Sequence, residues 1–122
     1  MTAPIIVIDD DKHLTEVLQQ YLEGLDFTVF TALDGVHAYT MALARKPALI
    51  IMDVDMPIMS GLQALEKLRA DPKTQTIPVI LLTGVISDTV YPLIQNMPRV
   101  SHIKKPVNLE DLGSMVRVYI PQ

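Results

Sequence analysis

Acidic residues gather where two hydrophobic runs of this chain stop: Asp9, Asp10 and Asp11 after residues 5–8, and Asp53 and Asp55 after residues 48–52. Thr83 closes a third such run, and Lys104 and Lys105 close a fourth. Carboxylates that converge on one point raise one another's pKa unless a cation holds them ionised, so a cluster of this kind implies a metal. Oxygen donors without His or Cys suit a hard ion. A site with few protein ligands, which keeps waters and meets phosphate, suits Mg²⁺ better than Ca²⁺ or Mn²⁺. An aspartate beside such an ion can act as a nucleophile and form an acyl phosphate. That transfer needs positioning and neutralised phosphoryl oxygens more than it needs acids or bases. A lysine ammonium, a threonine hydroxyl and a divalent cation would supply the neutralisation.

These residues can meet only if the runs that carry them are strands of one sheet. The runs at 5–8, 27–31, 48–52, 79–82 and 100–104 are short and rich in β-branched residues, and segments of helical period separate them. That alternation predicts βα units, with a parallel sheet covered by helices on both faces. Leu14, Val17, Leu18, Tyr21 and Leu22 form one apolar stripe of a first helix that Gly24 can terminate. Asp34-Gly35 is a turn signal, residues 36–45 a second helix stopped by Pro47, and residues 61–70 a third, with Pro72 beyond its end. A fourth helix is expected over about residues 87–96, interrupted by Pro92, and Asn108 can cap a fifth. In a doubly wound sheet, ligands bind beyond the carboxyl ends of the strands, which is where the four polar groups fall.

Composition narrows the class. The 122 residues are 49% apolar and fit one domain, read as residues 1–122. Fourteen acids against ten bases give a net charge of −4, and no Lys/Arg-rich run is present, which argues against direct nucleic-acid binding. The absence of cysteine excludes thiol, disulfide and redox chemistry. No apolar run approaches the ~20 residues that span a bilayer, and the short apolar start, closed by three aspartates, is unlike a signal peptide, so a cytoplasmic protein is expected.

Four segments carry a resemblance to the receiver domains of two-component response regulators. IVIDD resembles their first strand and acidic pair, and MDVDMPIMSG their phosphoacceptor signature. LLTG resembles the Thr or Ser followed by a small residue, and KKP their Lys-Pro. The resemblance implies a flavodoxin-like (βα)5 fold with strand order 2-1-3-4-5. It makes Asp53 the phosphoacceptor, with Asp10 a direct Mg²⁺ ligand, Asp9 close by or acting through water, and Asp55 a ligand through its backbone carbonyl. Thr83 would bond a phosphoryl oxygen and reorient on phosphorylation, and Lys105, before a cis proline, would pair with the phosphoryl group. The implied partners are a sensor histidine kinase or phosphotransfer protein, a downstream protein or output domain, and a second copy in a phosphorylation-dependent homodimer.

The match is uneven. NMPRVSH replaces the family's small-residue segment before the last strand, and His102 stands where an aromatic switch residue is usual. Its imidazole could rotate in behind Thr83, sense pH, or sit exposed on an edge strand. Asp55 and Val85 would flank the site mouth, with Gly84 leaving it open. Asp10 and Asp11 could equally be helix caps. Two rival functions remain: a pseudo-receiver that binds partners without phosphorylation, and a phosphatase reading of Asp53-Val54-Asp55, whose acidic partners should lie downstream rather than upstream.

Overall fold

The computed structural model describes residues 3–84 and 90–121. The elements run β1 (Ile5–Ile8), α1 (Lys12–Gly24), β2 (Val29–Ala32), α2 (Val36–Arg45), β3 (Leu49–Asp53), α3 (Gly61–Ala70), β4 (Val79–Thr83), α4 (Val90–Ile94), β5 (Val100–Lys104) and α5 (Leu109–Tyr119). All strand pairs are parallel and the order is β2-β1-β3-β4-β5, as the resemblance implied. Every residue of β1, β3 and β4 is buried, whereas the edge strands β2 and β5 are only partly covered. Continuous apolar runs are what a parallel strand buried on both faces requires.

Alternate residues of the inner strands feed two cores. Ile6, Ile8, Ile50, Met52 and Leu81 pack with Ala38, Ala42, Leu65 and Leu68 of α2 and α3. Ile5, Val7, Leu49, Ile51 and Leu82 pack with Leu18, Leu22, Leu112 and Val116 of α1 and α5 on the other face. A one-residue slip would exchange the two sets and turn the strand exits away from each other, so the cores also fix the site. Met52 and Met56 are buried in the first core and Met59 packs against it.

The structure shifts several boundaries. β2 starts two residues later than expected, because the Phe27 amide is taken by Leu22 O in closing α1. Gly24 is the last helical residue but not the reversal point; the left-handed residue is Asp26, at φ 71°. Aspartate tolerates that region better than most side chains. β3 and β4 each run one residue further than their apolar runs, to Asp53 and Thr83. Pro92 is the third residue of α4 as described, Val90–Ile94, and that short span continues past it. The expected helix residues 87–89 and the Val85 position fall outside the described residues.

Candidate functional site

Asp9 follows β1 directly and has no exposed surface. Its amide donates to Ala32 O at 3.2 Å, and its Oδ1 accepts the Asp11 amide at 2.9 Å. Asp11 caps α1 by accepting the Leu14 amide at 3.1 Å, which settles its role as structural. Asp10 is exposed and makes no cap. Asp53 ends β3 opposite Leu82 and is 3% exposed, and its Oδ1 accepts the Asp55 amide at 3.2 Å. The Asp55 side chain itself is exposed. One oxygen from each of Asp9, Asp10 and Asp53 lies within 4.8 Å of the other two.

The cation comes from the far side of the sheet. The Lys105 amide donates to Thr83 O at 2.7 Å, anchoring the residue just past β5, and the bond to Pro106 is cis, as expected. The Lys105 Nζ then lies 2.8 Å from Asp9 Oδ2 and 3.4 Å from Asp53 Oδ2. The contact with Asp9 is a short ion pair with a wholly buried carboxylate. Lys104 is exposed and pairs in register with Thr83 at the end of β5. Thr83 is 2% exposed, and its Oγ1 is buried without a hydrogen-bond partner among the described residues. An orphaned buried hydroxyl is costly, so Thr83 marks a place where an acceptor is missing.

Charge in this pocket is unbalanced. Burial, and then the negative charge of Asp9, push the Asp53 carboxyl up to about 6, against the opposing pull of Lys105 and the Asp55 amide. Burial alone would lower the Lys105 pKa, but its contacts with Asp9 and Asp53 hold it above the ordinary value. Two buried carboxylates and the adjacent Asp10 thus face one ammonium. A further positive charge would relieve them, and an all-oxygen donor set fits a hard divalent cation.

Gly61, read as the last residue of the phosphoacceptor signature and the start of a helix, also shapes the site. A Cβ there would lie 2.2 Å from the Asp53 carbonyl oxygen, and its amide donates to Val54 O at 2.9 Å. The N-terminus of α3 therefore rests directly on the backbone of Asp53. Gly61→Ala is expected to cost about 3 kcal/mol or more by overpacking, and to displace the carboxylate. Urea melts check the first effect, and a chemical-shift change at Asp53 the second.

A family model described as the response regulator receiver domain matches residues 5–117. The chain belongs to that family. Among its relatives, the receiver is 36% identical over 119 residues to the probable transcriptional regulator ycf29 of Porphyra purpurea, covering 96% of this chain and 56% of that one. It is 30% identical to the DNA-binding dual master transcriptional regulator RpaA of Synechocystis, covering 95% of this chain and 48% of that one. The chain thus spans about half the length of these curated relatives. Its fold matches the receiver domain of the sensor histidine kinase PA1611 of Pseudomonas aeruginosa, solved with magnesium in its active-site cleft, with a TM-score of 0.86, 23% identity and full coverage of both chains. Receivers are signalling domains.

His102 is half-buried on the edge strand β5 of this receiver, opposite Leu81, with its ring edge-on to Tyr91 of α4 at 5.7 Å. That setting is not the one of a freely exposed side chain. The residue ties β5 to α4. Among the described residues, no helix is long and apolar enough to cross a membrane.

Proposed function

We propose that this receiver works in the cytoplasm as a phosphoacceptor of a two-component phosphorelay, taking a phosphoryl group on Asp53 in a Mg²⁺-dependent reaction. The observation that carries the reading is one convergence: a buried carboxylate, a second carboxylate pair, a lysine ammonium and an unsatisfied threonine hydroxyl at adjacent strand exits. Asp9, Asp10, Asp53 and the Asp55 backbone carbonyl would hold the ion. Bound Mg²⁺ would keep the carboxylates ionised and neutralise phosphoryl oxygens.

The chain's own groups divide the remaining work. An oxygen of the Asp53 carboxylate attacks phosphorus, and the bond from phosphorus to the donor's histidine nitrogen breaks as the new P–O bond forms. Lys105 already lies 3.4 Å from Asp53 and pairs with a phosphoryl oxygen once one is present. The Thr83 hydroxyl turns to donate to another, and so loses its orphan status. Thr83 ends β4, immediately before the chain leads to α4, so its closure shifts the population towards a different α4-β5-α5 surface. His102, packed on Tyr91 in that surface, moves with it. The altered face recruits a downstream protein, an output domain or a second copy. The receiver itself meets protein rather than nucleic acid, and its phosphodonor is a sensor histidine kinase or phosphotransfer protein.

Two results test this reading. After incubation with acetyl phosphate and Mg²⁺, borohydride reduction should convert the aspartyl phosphate to homoserine at position 53 alone; reduction at Asp9, Asp10 or Asp55 would contradict it. Metal binding should also depend on pH, because the ligand carboxylates must be ionised. With Asp53 titrating at about 6, Mg²⁺ affinity should be flat above pH 7 and fall up to about tenfold per unit below about pH 6. Calorimetric titrations at pH 5, 6 and 7.5 measure it, and equal affinities at all three would remove Asp53 from the ligand set.

A further inference from the structure

Six of the ten lysines and arginines of this acidic chain lie at the end of the sheet opposite the site. Arg45 lies in the last turn of α2 and Lys67 and Arg69 in that of α3. Lys46, Lys73 and Arg99 follow in the loops that enter β3, β4 and β5. These positions are scattered in sequence, and only the βα winding brings them to one edge. Most of them are engaged: Arg45 stacks on Phe30, Lys67 on Tyr39, and Arg69 and Arg99 donate to the backbone carbonyls of Arg99 and Thr76.

Lys46 and Lys73 differ. Both are exposed, and no carboxylate among the described residues comes within 4.0 Å of either ammonium. The nearby Asp71 accepts the Tyr39 hydroxyl on one oxygen and the Lys73 amide on the other, and its charge attracts Lys73 without forming an ion pair, so Lys46 is the freer of the two cations. Between the two lysines lies a groove of about 620 Å³ whose floor is Ala42, Leu43, Pro47 and Ile77. Exposed cations flanking an apolar depression present both halves of a recognition surface.

We propose that this groove receives an acidic, partly apolar peptide segment of a partner protein, its carboxylates on Lys46 and Lys73 and an aliphatic side chain on the floor between them. The apolar floor favours peptide over nucleic acid, because none of its lining residues is aromatic and so none can stack a base. The site is independent of Asp53, since it lies at the opposite ends of the strands.

The probe is a fluorescein-labelled peptide of Glu and Leu, titrated into the full chain with amide chemical shifts recorded. The account expects saturable binding, with the largest shifts at Lys46, Lys73 and Ile77. It expects an affinity about tenfold lower in the Lys46→Glu, Lys73→Glu double variant, and a smaller loss in the double glutamine variant. Phosphorylation of Asp53 by acetyl phosphate should be unchanged in both. The inference fails if the peptide does not bind, or if the shifts centre elsewhere. It fails also if a peptide with Ser in place of Leu, or a single-stranded oligonucleotide of equal charge, binds as tightly.

Discussion

Asp53→Asn is expected to give a domain that takes up no phosphoryl group and yet, in metal-free buffer at pH 8, melts several degrees above the parent. The loss follows from removing the nucleophile. The gain follows from the raised Asp53 pKa, about 6 against an ordinary 3.8, which means that folding disfavours the ionised form. In the interval between those values the folded state binds the proton and the unfolded state does not, so stability falls as pH rises through the window. The penalty is complete above about pH 6 and absent below 3.8. Two pKa units, already net of the attraction of Lys105, set a ceiling of about 3 kcal/mol, and about 1–2 kcal/mol is expected because the asparagine amide is itself a buried polar group. The advantage of the variant should therefore vanish near pH 4. Saturating Mg²⁺ should reverse the order, since the parent gains binding energy that the variant lacks. Thermal melts at pH 8 and pH 4, with and without Mg²⁺, measure all three, and a variant less stable than the parent in metal-free buffer at pH 8 would contradict the electrostatic account.

Lys105→Ala should have the opposite sign. Its ammonium compensates Asp9, which is wholly buried, and Asp53, and no other Lys or Arg among the described residues pairs with either. Removing one partner of a buried pair leaves the other charge uncompensated, at about 3–5 kcal/mol in full burial. The Lys105 side chain is 26% exposed, so about 2–3 kcal/mol is the expected loss in metal-free buffer. Lys105→Met, which keeps the apolar stem, should lose nearly as much, because the charge and not the packing is at issue. Mg²⁺ should stabilise both variants more than the parent. Phosphorylation of Asp53 should still occur but no longer shift the amide resonances of α4, β5 and α5. Retention of that response in Lys105→Met would remove Lys105 from the coupling.

Much of this site was legible before the fold. Uninterrupted apolar runs ending in Asp, Asp and Thr located three buried strands and their exits, because a strand covered on both faces has no room for polar alternation. What failed to show depends on contacts made across the chain. The burial of Asp53 within β3 was missed because an aspartate reads as the end of a strand, whereas here pairing opposite Leu82 carries the ladder through it. Gly61 was visible as a residue of the signature but not as the point where α3 touches the Asp53 carbonyl. The separate fates of Asp10 and Asp11 could not be read from type, since either can cap a helix; only the bond to the Leu14 amide distinguishes them. The groove between Lys46 and Lys73 has no sequence signal at all, as its residues come from two loops and a helix end.

The most direct test of the central claim is the intact mass of the protein after incubation with acetyl phosphate and Mg²⁺, repeated with EDTA and with Asp53→Asn. The account predicts the gain of one phosphoryl group in the first sample and none in the other two. A folded parent that binds Mg²⁺ but gains no mass, or a gain that persists in Asp53→Asn, would contradict it.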